Sequence, residues 1–462
     1  MIEKPSRDSS PEAIDEYVFP QIDRVKIPVS RDVLPDADNI TEQKNKFLAG
    51  DVDEINFTYE KNKDIWYDEK EIILLDLKHE LSVRRDFPEM IRKEYLYAIN
   101  ERLAKIRMLR EIQLAEKDGR QEYHARRFDA YSRFIYGGPH PEIFANVIAT
   151  LQKKLQTKDG TPDLVVQQAY DRLQTIIESH QKLDVPNSIP PFQADAPSED
   201  TEDVLVNAEE LKRIFDEAIQ ETSLSDGWKV IIDSTGKRNH ISVNGGVKKI
   251  RIPNSEQLAL RIGSKKLTKQ KILGLIEHEI KTHALRHHNG SRSELKLLGT
   301  GLRNYIEGEE GLATYREQQE TKVDDYAGFS LYFAAGLAKG LDGGGERAFA
   351  AVHKILKDYF LVNETGVTES AAAQSAWNVC LRIFNGTPGN IPGVIFSKDT
   401  VYRKGNIATW QLMNAHSSDD FELTLSILDF GKFDQTNERQ RQVVASVRQG
   451  ITNEALVALE EE

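Results

Sequence analysis

The sequence predicts an α+β fold, and three observations carry that reading: a first half written in helical periodicity, a short block of β-branched segments, and a histidine-crowded helix directly after it. At 462 residues the chain exceeds the usual single domain, so its length suits either two structural units or one enlarged catalytic domain.

Residues 1–50 read as a partly irregular N-terminal tail. The start, MIEKPSRDSSPEAIDEYVFP, is polar and acidic, with no apolar stretch behind a basic beginning. No secretory or organellar leader is expected there, and a cytoplasmic location follows by default.

Residues 51–183 read as a helical region. EIILLDLKHELSVRR and EMIRKEYLYAINERLAKIRMLREIQLAEK place apolar residues at helical spacing, broken at Gly119 and at Gly137–Pro139. The stretch PDLVVQQAYDRLQTIIESHQKL is a further helix ending near residue 183. The segment 184–203, DVPNSIPPFQADAPSEDTED, mixes Pro, Ser and acidic residues without apolar periodicity and reads as a linker.

Residues 204–462 then form the expected catalytic domain. AEELKRIFDEAIQ is an amphipathic helix, and WKVIID and KKIRIP are short strands of a small antiparallel sheet. Val247–Pro253 is the expected edge strand, able to hold an extended substrate backbone by strand addition. The helix KQKILGLIEHEIKTHALRHH follows at once.

Composition narrows the functional classes. Hydrophobic residues make up 39% and charged residues 29% of the chain, and no apolar run approaches the ~20 residues of a membrane helix. A net charge of -13 argues against the broad phosphate neutralisation that nucleic-acid binding needs. Neither a membrane nor a nucleic-acid partner is expected. Cys380 is the only cysteine, which excludes a disulfide framework and thiolate-rich zinc sites. A metal ion here must be held by His and carboxylate.

Such a set is present. His278, His283, His287 and His288 lie close together, and Glu279 follows the first of them. The common zinc-peptidase helix carries H-E-x-x-H, whose i and i+4 imidazoles share a face. His278 and His283 are one residue further apart, roughly 140° around a regular helix. A π-type widened turn between Glu279 and Thr282 would restore a common face. A competing register, Glu279, His283 and His287, needs no distortion. The bland alternative is an amphipathic helix with core stripe Leu273, Ile276, Ile280 and Ala284, merely decorated by histidines. A third ligand must come from elsewhere, and GTGLRNYIEGEEGLATYREQQE offers Glu307, Glu309, Glu310 and Glu317.

HEIKTHALRHHNG and EEGLATYRE together resemble the bacterial QEGLA-motif family of zincin-like metallopeptidases, whose eukaryotic relatives are the microtubule-associated tyrosine carboxypeptidases. CLRIFNGTPGNIPGVIFSKDTVYRKG resembles that family's C-terminal block. The resemblance implies one zinc ion on His278, His283 and Glu310, with Glu279 as catalytic base. Glu309 stands where the family name has Gln, a departure bearing on the hydrogen bonds around the ligands.

The implied activity is a zinc carboxypeptidase acting on the C-terminus of a protein or peptide, with a preference for tyrosine or another aromatic residue suggested by the eukaryotic relatives. Tyr315, His287, Tyr402 and Arg382 are candidate donors to the oxyanion. Arg382, Lys398, Arg403 and Lys404 are candidate anchors for the terminal carboxylate, against the alternative of solvated surface charge. The substrate-binding set is thus Arg382, Lys398, Tyr402 and Tyr315. LDGGGER and FNGTPGNIPG lack the ending of a phosphate-binding loop and read as turns. A zinc endopeptidase or aminopeptidase, or a non-catalytic metal-binding regulatory protein, are the competing functions.

Overall fold

The computed structural model describes residues 11–60, 67–84, 88–156, 163–193, 203–205, 207–236, 240–262, 266–321, 323–364, 366–415 and 418–449. Eight helices come first: α1 (Pro11–Arg24), α2 (Val29–Asp32), α3 (Ala37–Ala49), α4 (Asp68–Val83), α5 (Glu89–Asp118), α6 (Gln121–Tyr136), α7 (Pro141–Gln156) and α8 (Leu164–Gln181). The breaks foreseen at Gly119 and Gly137 end α5 and α6, and both glycines have positive φ. That conformation is cheap only for glycine.

Helices α1 to α3 occupy most of the segment expected to be partly irregular. Val18 and Ile22 of α1 and Val29 of α2 are buried, and that burial is what fixes these two short helices.

The small β region follows. It comprises β1 (Asp203–Leu205), α9 (Ala208–Gln220), β2 (Lys229–Ile232), β3 (Ser242–Asn244), β4 (Lys249–Ile252), α10 (Ser255–Ile262) and β5 (Lys266–Thr268). Helix α9 is capped by Asn207, whose side chain accepts from the Glu210 amide.

The sheet is mixed rather than antiparallel. Its order is β2-β4-β3, with β2 parallel and β3 antiparallel to β4. WKVIID and KKIRIP were expected to pair directly across a turn, but the ISVN segment between them forms a strand of its own and makes the reversal. As a result β2 and β4 run in the same direction. This also corrects the edge assignment: β4, within Val247–Pro253, is the central strand, and β3 is an edge. A separate antiparallel pair joins β1 to β5.

Next comes a continuous helix: α11 (Lys269–Leu275), a π-helical stretch Ile276–Ala284, and α12 (Leu285–Arg292). The remaining helices are α13 (Leu297–Thr300), α14 (Tyr305–Glu320), α15 (Phe329–Ala338), α16 (Phe349–Asn363), α17 (Glu369–Phe384), α18 (Val401–Ala415), α19 (Ser418–Leu428) and α20 (Glu438–Gln449).

Two apolar cores result. The larger joins α1–α8 to the helices after Leu295, and the smaller joins α9, β2, β4 and the inner face of the π-helical segment. The described part of 184–203 packs on the larger core: Ile189 is buried, and Phe192 meets Tyr326 and Trp410 edge-on. The continuous helix Lys269–Arg292 lies between the cores, with α14 beside it. No helix among the described residues is long and apolar enough to cross a membrane.

Candidate metal centre and its cleft

The spacing of His278 and His283 demanded a widened turn, and the π-helix over Ile276–Ala284 supplies it. Widening a helix strands backbone carbonyls, and two side chains satisfy them. Thr282 Oγ1 donates to the Glu277 carbonyl at 2.8 Å. Arg316, on α14, donates to the Lys281 carbonyl at 2.6 Å and pairs with Asp429 at 2.8 Å.

The two imidazoles therefore come together, with ring centroids 4.9 Å apart. Each Nε2 lies 3.9 Å from Glu310 Oε2. His278, His283 and Glu310 each offer one ligand atom, and these atoms lie within 4.8 Å of one another, a group able to hold a metal ion. The competing register does not assemble: His287 Nδ1 bonds the Gly299 carbonyl at 2.8 Å.

The outward nitrogens are held as well. His278 Nδ1 is 3.0 Å from Glu317 Oε2, and His283 Nδ1 is 2.9 Å from Glu309 Oε1. With each Nδ1–H donated to a carboxylate, each Nε2 presents its lone pair inward, the arrangement a metal-ligating histidine needs. Glu310 and Glu317 are seven residues apart on α14 and so share a helical face.

Glu309 is 3% exposed and fully engaged. Arg286, buried beneath the site, reaches its Oε2 at 2.7 Å, and Lys432 reaches its Oε1 at 2.7 Å. Burial alone would push Glu309 up, but Lys432 and Arg286 overcome it and hold the carboxyl below the usual range. At Glu317 burial is likewise outweighed, here by His278 and Lys271, and its pKa falls to about 2. Burial opposes charge on His278, yet the bond to Glu317 and the charges of Glu279, Glu310 and Glu317 raise it to about 9. The field at the His278 imidazole thus favours a cation.

His278, His283, Glu309 and Glu310 face a cleft of about 940 Å³. Glu279 lines it beside His278 and His283, and β3 forms one wall through Ser242, Val243 and Asn244. The lining also includes the segment Ile27–Arg31, together with Lys105, Lys398 and Tyr402. The charge of Glu310, then burial, keep the Tyr402 phenol protonated and hence a donor.

The other candidates lie elsewhere. Tyr315 is buried against Trp410, 4.8 Å between ring centroids. Arg382 pairs with Asp399 at 2.7 Å and stacks over Tyr402 outside the cleft lining. Arg403 is fully buried and paired with Asp325. Lys404 is bound to Glu307 and the Tyr136 carbonyl. Lys398 remains in the cleft and donates to Ser30 Oγ at 3.3 Å.

The sequence reading did not single out Lys105, Tyr305, Arg286 and Lys432. The signal for Lys432 and Arg286 was faint: a Glu in place of Gln at 309 calls for cations, but sequence does not say which.

Glycine at 311 has a packing reason. A Cβ there would stand 2.3 Å from the Gly405 carbonyl oxygen, and one on Gly405 would stand 2.0 Å from the Glu307 carbonyl oxygen. Helices α14 and α18 cross backbone to backbone at this point, which sets Tyr402 beside Glu310.

Residues 189–325 match the family model of the microtubule-associated tyrosine carboxypeptidases, and over that segment the chain is related to them. The match contains the mixed sheet, the helix Lys269–Arg292 and α14. No curated protein and no solved structure matches the chain.

Proposed function

We propose, from this relation and from the convergence of His278, His283 and Glu310, that the chain is a cytoplasmic zinc-dependent carboxypeptidase. It would remove the C-terminal residue of a protein or peptide, with an aromatic residue preferred. The observation that carries the reading is the pair of Nε2 atoms, each 3.9 Å from Glu310 Oε2, with their Nδ1 atoms locked by Glu317 and Glu309.

Two imidazoles, neutral once a metal cation takes the place of a proton, and a carboxylate, with a cleft open beside them, form the donor set typical of catalytic zinc. Zinc held by these three residues would supply Lewis-acid polarisation of the scissile carbonyl and of an attacking water. Glu279 follows a ligand and lines the cleft, so its carboxylate takes the water's proton and passes it to the leaving amine. Tyr402, held protonated, donates to the developing oxyanion. The edge strand β3 aligns the substrate backbone along the cleft wall.

A purely regulatory metal site has no use for a base such as Glu279 in the cleft. Glu279→Gln is expected to keep one equivalent of zinc by metal analysis and to lose hydrolysis by about 10²–10⁴-fold. Paired peptides with free and amidated C-termini separate exo- from endopeptidase action. Equal cleavage of the pair, or full activity in the variant, contradicts this function.

A further inference from the structure

A second cavity of about 220 Å³ opens beside the cleft and shares Ile27, Lys105 and Tyr305 with it. It lies between the end of α1, helix α5 and the turn at Gly301. Three cations, Lys26, Arg102 and Lys105, face two acids, Asp23 and Glu101, in its lining. Glu101 is already occupied: it accepts from Lys105 at 2.5 Å and from the Asn304 amide at 3.1 Å.

Arg102 is the unusual member. Its hydrogen bond among the described residues runs from Nη1 to the Ala98 carbonyl of its own helix, at 3.2 Å. No carboxylate lies within ion-pair distance of it among the described residues. Burial, opposed by the charge of Glu101, pulls its pKa below the ordinary value. Its side chain is half-buried, and a guanidinium held against the protein without a carboxylate partner leaves its planar fork available to an anion.

We propose that this side cavity is an anion subsite of the cleft, in which Arg102, with Lys105 at the mouth, binds a carboxylate of the substrate. The carboxylate is either the terminal α-carboxylate or an acidic side chain at the substrate's end. The word substrate here rests on the peptidase reading. The geometry adds a cationic anchor on α5 to Lys398, the candidate of the C-terminal block that lines the cleft. Arg382, Arg403 and Lys404 are paired away from the cleft lining, whereas Lys105, paired with Glu101, lies on the boundary of both cavities. Arginine suits the task because its planar fork meets both carboxylate oxygens.

The test measures binding to the full-length zinc-loaded protein by calorimetry, without turnover. Three probes are compared: N-acetyltyrosine, N-acetyltyrosinamide and N-acetylglutamic acid α-amide. At least one carboxylate is expected to bind about tenfold or more tightly than the tyrosinamide, and which one does so identifies the source. Arg102→Gln should abolish that preference. Arg102→Lys, which keeps the charge but not the fork, should retain part of it and guards against a glutamine variant that does not fold. Equal binding of all three probes, no binding of any, or an undiminished preference in a folded Arg102→Gln protein overturns the subsite. A protein that shows the preference yet hydrolyses no peptide keeps the subsite and loses the peptidase reading. Hydrolysis without the preference does the reverse.

Discussion

Arg316 donates to the carbonyl of Lys281 at 2.6 Å, joining helix α14 to the widened turn that carries both histidines. The contact spans the two elements that carry His278, His283 and Glu310, and its other end is fixed by Asp429. Replacing Arg316 by Met removes the partner of a carbonyl that a regular helix would have satisfied. Zinc affinity, measured by competition with a chromogenic chelator, should fall about 10–100-fold. Wild-type affinity in that variant would mean that the turn holds without its prop.

Glu309 neutralises two cations at once, Arg286 and Lys432. Glu309→Gln restores the residue of the family motif but strands the buried Arg286, and should cost about 3–5 kcal/mol of stability. Adding Lys432→Met to Glu309→Gln should return part of that loss. Chemical denaturation of the single and double variants checks the coupling, and strictly additive effects would contradict it.

Gly405→Ala would place a methyl group 2.0 Å from the Glu307 carbonyl oxygen. Backbone cannot yield as a side-chain end can, so the loss should reach or exceed about 3 kcal/mol, the upper part of the overpacking range. Gly50→Ala makes a useful contrast: its Cβ would have nothing within 4 Å, and its penalty would come from the positive φ of 81° alone. A melting comparison should rank the first variant well below the second.

Glu94 gives the fold a pH dependence remote from the cleft. Burial raises its pKa to about 7 against the opposing charges of Arg439 and Arg303. A carboxyl whose folded pKa lies above its unfolded one stabilises most when protonated. Its contribution is therefore complete below about pH 4.5 and is lost as pH rises through about 7, up to ~3 kcal/mol. Glu94→Gln should flatten this part of the stability profile between pH 5 and 8. Parallel profiles for the two proteins would assign the dependence to another group.

Local signals in the sequence were readable where chemistry is local. The five-residue spacing of the histidines required a widened turn, and the apolar spacing of AEELKRIFDEAIQ marked α9. Features that depend on distant partners were not readable. ISVN is too short and too weakly patterned to be recognised as a strand, and missing it turned a mixed sheet into an antiparallel one. Tyr315 is five residues beyond Glu310, about 140° around a regular helix, so it turns into the core rather than toward the imidazoles. Lys105 and Arg102 sit in a helix whose periodicity is that of any core helix. Residues 22–27, lying over α5 beside the turn at Gly301, make a cavity of that surface.

The segment from Leu428 to Gln435 has a consequence for biosynthesis. Arg286 donates to the carbonyls of Leu428 and Phe433, Asn289 to that of Asp429, and Gln435 to that of Gly308, while Lys432 meets Glu309. Every one of these contacts awaits residues translated more than a hundred positions after the ligands themselves. During vectorial synthesis the histidines emerge early, but their supporting frame closes only once Gln435 has left the ribosome. A nascent chain therefore carries an unfinished centre until the folding of the rest is nearly complete.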